Sequence, residues 1–264
     1  MKVKEKVIVV TGGGSGIGRE IVLELLHRGA KVAAVDINED ALKQTYELAL
    51  DAKDRLSLHI LDLANKEEVD QLPEAVVKIH QQVDAIINNA GIIQPFIHVK
   101  DLTFSKINQV MNVNFYGPLF MIKAFLPYLL QRDIAHIANV SSMGALVPVP
   151  GQTVYGASKS ALKLLSEGLH SELKGTSVGV STIFPGGVAT NITANSGVET
   201  TMAIKNPKLT KIKLLAPKKA ASIIVDAIEK NKQRVCAGKD SKFMDFLSRL
   251  SPKKAAKVIS NMLS

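Results

Sequence analysis

Short apolar runs alternate along this chain with longer stretches whose apolar residues recur every three to four positions. Val7 to Val10 is a run rich in β-branched residues and predicts a buried strand. Ile17, Ile21, Val22, Leu25 and Leu26 then repeat with a helical period, and Gly29 ends the helix. Lys31 to Val35 predicts a second strand, with Asp36 at its C-terminal end. The rhythm continues with a helix over Glu39–Leu50 behind a possible Asn38 cap, a strand over Leu56–Leu61 and a helix over Lys66–Gln81 that Pro73 interrupts. A strand over Val83–Ile87 precedes one long helical stretch, Thr103–Leu130, which contains Pro118 and Pro127. Ile134–Val140, Thr153–Leu173 and Ser177–Phe184 predict strand, helix and strand. Pro217–Asn231 predicts a helix and Arg234–Ala237 the last strand.

Strands and helices of these lengths in alternation predict parallel βαβ units. The expected architecture is an α/β doubly wound parallel sheet, a Rossmann fold, in a single domain spanning 1–264. Two stretches break the rhythm. Residues 190–214 mix polar and apolar residues after a strand end and read as a substrate loop. Residues 239–264 read as a basic amphipathic extension, with two helices over Lys242–Leu263 divided at Ser251-Pro252.

Between the first strand and helix lies Thr11-Gly12-Gly13-Gly14-Ser15-Gly16-Ile17-Gly18. Gly12 allows a tight turn off the strand, Gly16 lets backbone approach a ligand, and Gly18 permits close helix packing. Strand, glycine turn, helix, strand and acid together lay a dinucleotide pyrophosphate on a helix N-terminus and hold a ribose with a carboxylate. Asp36 would accept both ribose hydroxyls of NAD and repel a 2′-phosphate. Only Arg19 stands near enough in sequence to offset that, so NAD is the expected cofactor.

Composition adds two points. With Cys236 as the only cysteine, an internal disulfide framework is excluded and a reducing, cytoplasmic setting is expected. The N-terminus shows no signal-peptide pattern, and no uninterrupted apolar window is long enough for a membrane span. Charge is divided unevenly. Residues 1–204 hold 18 Lys and Arg against 20 Asp and Glu, whereas residues 205–264 hold 15 against 4. That basic quarter is either a solubilising face or a surface for an anionic membrane, nucleic acid or an acidic substrate. Phe243 and Phe246 fit a helix's apolar face better than a base-stacking platform, so no nucleic acid is expected.

Tyr155 and Lys159 stand at i and i+4 and share one helix face. A lysine charge beside a phenol favours the phenolate and is expected to lower the Tyr155 pKa. Ser142 ends the strand before that helix, and its hydroxyl can orient a substrate oxygen. Asn114 lies inside the long helical stretch, where an amide needs a reason such as holding a water or reshaping the helix hydrogen bonds.

These motifs resemble the short-chain dehydrogenase/reductase family, closely over about residues 5–190 and in outline to about 238. The glycine motif matches Thr11, Gly12, Gly16, Ile17 and Gly18. The acid after the third strand matches Asp62, and the N-N-A-G motif matches Asn88, Asn89, Ala90 and Gly91. The P-G turn and following threonine match Pro185, Gly186 and Thr190. The resemblance implies a catalytic tetrad of Asn114, Ser142, Tyr155 and Lys159. Tyr155 would be the general acid or base, Lys159 would lower its pKa and bind the nicotinamide ribose, and Ser142 would hold the carbonyl oxygen. Asn114 would anchor a water in a relay through Lys159. Ser15, Asp36, Leu63 and Val188 complete the expected cofactor contacts, and no metal is implied.

The expected function is hydride transfer between NAD and a secondary alcohol or ketone. An apolar acyl, lipid, steroid or cyclic substrate is expected, because Ile92, Ile93, Phe96, Met143, Ala145, Leu146, Val147, Val149 and Pro150 gather near the predicted cleft. Ile192, Val198, Met202 and Ile204 would add to it from the loop. The resemblance also implies a homodimer or homotetramer built on helices 103–130 and 153–173, where Ala157, Ser158, Ala161, Leu162 and Leu165 suit close packing. The alternative is an NAD-binding protein that works through its basic C-terminal region on a membrane or a partner.

Overall fold

The structure, a computed structural model, describes residues 1–198 and 214–263, with side chains described as far as residue 261. Seven parallel strands form one sheet in the order β3-β2-β1-β4-β5-β6-β7. They are β1 (Val7–Thr11), β2 (Lys31–Asp36), β3 (Leu56–Ile60), β4 (Ala85–Asn88), β5 (Ala135–Val140), β6 (Val178–Pro185) and β7 (Arg234–Ala237). The strand order reverses between β1 and β4. Such a switch point opens a crevice at the C-terminal ends of the strands.

The pleat explains why the strands read as unbroken apolar runs. Ile8 and Val10 of β1 point to one face and pack with α1 (Gly16–His27), with Leu42 of α2 (Glu39–Leu48) and with α8 (Pro217–Glu229). Val7 and Val9 point to the other face and pack with α3 (Lys66–His80), α5 (Gly117–Leu129) and α6 (Thr153–Glu172). Both faces are covered, so alternation with polar residues disappears. Each wholly buried Ile or Leu contributes about 1.5–3 kcal/mol.

Several elements differ from the sequence expectation. The stretch Thr103–Leu130 is helical without a break over Phe104–Leu129, as expected, but it is not α-helical throughout. It divides into α4 (Phe104–Met111), a π-helical turn at Asn112–Tyr116 and α5. Pro118 directly follows the π turn and Pro127 lies inside α5. Pro73 does not divide α3. A 3₁₀ segment at Leu50–Arg55 joins α2 to β3. Within the loop after β6, a short helix α7 spans Ile192–Asn195. Residues 199–213 of that loop, including Met202 and Ile204, lie outside the described residues.

The C-terminal extension begins immediately after β7. Helices α9 (Lys239–Leu250) and α10 (Pro252–Leu263) fold back onto the domain. Met244, Ala255 and Ile259 join Val147 in a separate apolar cluster, with Met143, Leu146 and Val149 packed against it. Among the described residues, no helix is long and apolar enough to cross a membrane.

Candidate active site

The glycine turn leaves β1 with Gly12 at φ +69° and Gly16 at φ +52°, values that favour glycine. Gly18 is needed for a different reason, since a Cβ there would run into the Gly12 carbonyl. The helix that follows has Ser15 in the N-cap position, but its hydroxyl makes no capping bond. Instead it accepts a hydrogen bond from Asn195 Nδ2 of α7 (2.8 Å). The N-terminal N–H groups of α1 therefore face a cavity rather than a side-chain cap, a setting that suits an anion.

Asp36 at the end of β2 accepts hydrogen bonds from Gly14 N (2.9 Å) and Asn38 N (3.1 Å). Its carboxylate is thereby fixed on the cavity wall. Arg19 does not turn toward the cavity. Its guanidinium donates to the Gly14 carbonyl, Thr45 Oγ1, the Ala41 carbonyl and Gln44 Oε1. It staples α1 and α2 to the glycine turn.

Thr11 binds β1 to the loop after β4. Its hydroxyl accepts from Asn89 N (3.0 Å) and Ala90 N (3.1 Å), while Asn89 Nδ2 donates to the Thr11 carbonyl (3.0 Å). Asn88 donates to Asn139 (2.8 Å), which in turn donates to Ser166 of α6 (2.9 Å). This buried amide chain crosses from the sheet into the helix that carries Tyr155. At Gly91 an added Cβ would lie 2.9 Å from Lys159 Nζ and 3.2 Å from Asn114 Oδ1, so the bare backbone admits both side chains.

Asn114 is wholly buried in the π turn. Its Oδ1 accepts from Ile92 N (2.8 Å), and its Nδ2 donates to the Ile92 carbonyl (2.9 Å) and to Ser158 Oγ (3.0 Å). The amide thus joins three elements, the loop after β4, the π turn and α6. A π turn accommodates one surplus residue in the helix and redirects its hydrogen bonds.

Ser142, Tyr155 and Lys159 meet on one cavity wall. Lys159 Nζ donates to the Val140 carbonyl (3.1 Å), and burial lowers its pKa to about 8. The Tyr155 phenol behaves differently from the sequence expectation. Burial pushes its pKa up, and a hydrogen bond with Ser142 opposes that only in part. Burial is the larger influence on the phenol, and Lys159 is not among the causes of its shift.

Ser142, Tyr155 and Lys159 line one cavity of about 1160 Å³. Gly12, Ser15, Gly16, Ile17, Gly18 and Asp36 lie on its wall with Asp62, Leu63, Asn89, Ala90 and Gly91. Pro185, Gly186, Val188 and Thr190 line it from the end of β6. Asn114 lies just behind the wall and is not among its lining residues. The cavity's size and its glycine-floored, N–H-rich end fit a dinucleotide.

The apolar residues expected at the cleft divide. Ile92, Ile93 and Ile192 line the cavity, with Val113 beside them. Met143, Leu146, Val147 and Val149 do not; they pack against the C-terminal helices. Phe96 backs onto Gly151. Val198 is buried. The expectation failed because tertiary packing supplied these residues with partners from residues 100 positions further along the chain.

Three contributors were not singled out from the sequence. Gln94, wholly buried, accepts from Val154 N (2.8 Å) and Tyr155 N (3.1 Å) and donates to the Gly151 carbonyl (2.9 Å). It caps α6 from 60 residues away, where Gln152 supplies no cap of its own. A lone amide in the run Ile-Ile-Gln-Pro-Phe was the available signal. Asp240 of α9 accepts from Gly187 N (2.7 Å) and fills the space a Cβ on Gly186 would need. Ser196 accepts from Ile93 N (3.0 Å), which ties the loop after β6 to the loop after β4.

Comparison with known proteins agrees with this architecture. The profile of the short chain dehydrogenase family matches residues 6–200. SadH of Mycobacterium tuberculosis, an oxidoreductase by name, is 35% identical over 250 residues, covering 93% of this chain and 90% of its own. A short chain dehydrogenase/reductase from Burkholderia phymatum, crystallised in complex with NAD, superposes with a TM-score of 0.87 at 25% identity over 97% of both chains. A short chain dehydrogenase from Burkholderia cenocepacia, crystallised with NADP, superposes with a TM-score of 0.80 at 25% identity over 100% of both. The fold, the glycine turn and the extent of the match lead to one conclusion: the chain belongs to the short-chain dehydrogenase family of oxidoreductases.

Proposed function

We propose that this oxidoreductase moves hydride between NAD and a secondary alcohol or ketone of apolar character, with Tyr155 as the general acid and base. The reading rests on one observation above the others. The Tyr155 phenol, the Ser142 hydroxyl and the Lys159 ammonium share a cavity wall with the glycine turn and Asp36.

When bound, the nicotinamide supplies or accepts the hydride. The chain's own residues do the rest. Ser142 holds the substrate oxygen beside the phenol. In reduction Tyr155 donates its proton to that oxygen, and in oxidation it removes the proton. Burial favours the protonated phenol, so the acid role in ketone reduction needs no prior ionisation. Lys159 carries its charge below about pH 8 and steadies negative charge on Tyr155 as the proton leaves. Asn114 holds the Ile92 backbone and Ser158 in register. Asp62 and Leu63 would contact the adenine side, and Thr190 with Val188 the nicotinamide side.

NAD is favoured over NADP by charge. Asp36 lines the cavity, where its carboxylate would oppose a 2′-phosphate, and Arg19 is engaged with the glycine turn. Ile92, Ile93, Val113 and Ile192 favour an apolar substrate. We propose further that the chain assembles as a homodimer or homotetramer over the outer sides of α4 to α6. Phe104 is 83% exposed and Leu164 68% exposed there. Ser158 and Leu162 belong to the chain's own core and are not part of that face.

The test is absorbance of reduced nicotinamide while the protein meets ketones graded by apolar size, with NADH and NADPH in parallel and Tyr155→Phe beside them. Turnover that prefers NADH, rises with apolar size and vanishes in the variant is expected. Tight NADH binding without turnover on any ketone would overturn the substrate class. Failure to bind either nucleotide would overturn the cofactor assignment.

A further inference from the structure

The outward side of α9 is unlike an ordinary solvated helix face. Phe243, Phe246 and Leu250 are 56%, 65% and 72% exposed. At about 100° per residue they fall within roughly 60° of arc. Single exposed apolar residues need no explanation, but three aligned in one stripe do. The opposite side of the helix accounts for its attachment. Met244 sits in the apolar cluster with Val147, and the wholly buried Ser241 donates to the Phe184 carbonyl (2.7 Å). The stripe is therefore surplus to folding.

The exposed charges of α9 and α10 have one sign. Lys239 and Lys242 on α9 are exposed, as are Lys253, Lys254 and Lys257 on α10. The acids of these two helices are turned to other uses. Asp240 accepts from Gly187 N, and Asp245 pairs with Arg234 (2.6 Å) and Arg249 (3.1 Å). Apolar side chains central to a helix face and lysines about it form the pattern of an interfacial helix. The lysines match anionic headgroups while phenyl and leucyl groups enter the acyl boundary.

We propose that α9 and α10 form a docking surface for an anionic lipid bilayer, with Phe243, Phe246 and Leu250 as the inserting groups. A second copy of the same face is a poor occupant, because pairing it with itself would bring lysines against lysines. Nucleic acid would use the lysines but leave Leu250 and its neighbours without a role. The assignment is independent of the substrate and of the cofactor, since none of these residues lines the cavity.

The experiment is sedimentation of the full chain with vesicles of phosphatidylcholine alone or of phosphatidylcholine with phosphatidylglycerol, at low and high salt. Wild-type protein is expected to pellet with the anionic vesicles only, less at high salt. The double variant Phe243→Ser/Phe246→Ser and the triple variant Lys253→Gln/Lys254→Gln/Lys257→Gln are each expected to lower the bound fraction roughly fivefold or more. Circular dichroism and NADH binding without lipid check that both variants fold. No pelleting of the wild-type chain with anionic vesicles would overturn the proposal. So would equal pelleting with phosphatidylcholine alone, or pelleting that the phenylalanine changes leave intact. A drop in molar mass of the phenylalanine variant by light scattering would assign the stripe to a second copy instead. Binding to single-stranded RNA in place of vesicles, lost only in the lysine variant, would assign it to nucleic acid.

Discussion

Gln94 Oε1 accepts the backbone N–H of Tyr155 at 3.1 Å, so a side chain from the loop after β4 sets the start of the helix that carries the phenol. The same oxygen accepts from Val154 N at 2.8 Å. The first turn of a helix has N–H groups with no intrahelical partner, and here a distant amide satisfies two of them inside the protein. Gln94→Leu leaves both without an acceptor. It is expected to destabilise the fold by about 2–4 kcal/mol and to lower kcat more than it raises KM for the nucleotide. Gln94→Glu keeps the acceptor but sets an oxygen against the Gly151 carbonyl and buries a charge, so it is expected to recover only part of the stability. Denaturant unfolding with steady-state kinetics on both variants checks this, and a Gln94→Leu variant as stable and as active as wild type would refute the capping role.

Tyr155→Phe removes the exchangeable proton while keeping the ring. Turnover is expected to fall about 10²–10⁴-fold with NADH affinity nearly unchanged. Fluorescence titration with NADH beside the rate assay separates the two effects. A variant that keeps more than a tenth of wild-type turnover would place the acid elsewhere.

Lys159 makes a statement about stability against pH. Its folded pKa, about 8, lies below the ordinary 10.5, so between these values the unfolded chain binds more protons than the folded one. Stability therefore rises with pH across that window from this group alone, by about 3 kcal/mol in total. Tyr155 acts oppositely above its ordinary value of 10, where its raised folded pKa makes the native state bind more protons. Lys159→Met is expected to flatten the rise between about pH 8 and 10 in ligand-free protein. Parallel pH–stability curves for wild type and variant would contradict the assignment.

Asp36 is expected to set nucleotide preference. On the proposed reading, Asp36→Ala would remove the charge opposed to a 2′-phosphate and the acceptor for both ribose hydroxyls. The ratio of kcat/KM for NADH over NADPH is expected to fall at least about tenfold, which corresponds to roughly 1.4 kcal/mol. Since Arg19 is held by the Gly14 carbonyl and Gln44, its replacement by Ala is expected to lower stability more than to change that ratio.

Asp240 ties the C-terminal extension to the turn at Gly187. Asp240→Ala is expected to raise KM for the nucleotide several-fold through loss of that acceptor, which contributes about 1–3 kcal/mol. Asp240→Asn, which can still accept through its oxygen, is expected to stay near wild type. Nucleotide titrations on the pair distinguish a positioning contact from a purely charge-based one.

The mass in solution tests the assembly. Light scattering on the full chain is expected to give a multiple of 28.4 kDa. A species of that single mass would contradict the proposed use of Phe104 and Leu164.

Much of the architecture was legible in one dimension because it depends on local rules. Val7–Thr11 and Lys31–Asp36 are strands buried on both faces, so their apolar runs identify them without knowledge of neighbours. Gly12 and Gly16 stand where backbone geometry admits little else. The i, i+4 spacing of Tyr155 and Lys159 guarantees a shared helix face, and strand-end positions guarantee that Ser142, Asp36 and Gly186 reach one edge of the sheet. What the tertiary structure alone decided were pairings between residues far apart in sequence. Burial raises the Tyr155 pKa, against the lowering expected from its i, i+4 lysine. Met143, Leu146, Val147 and Val149 face the C-terminal helices and not the cleft. Arg19 folds onto Gly14, and Gln94 onto the start of α6. Periodicity records which residues seek burial. It does not record which partner meets them, because that choice depends on how separately formed elements close over one another in space.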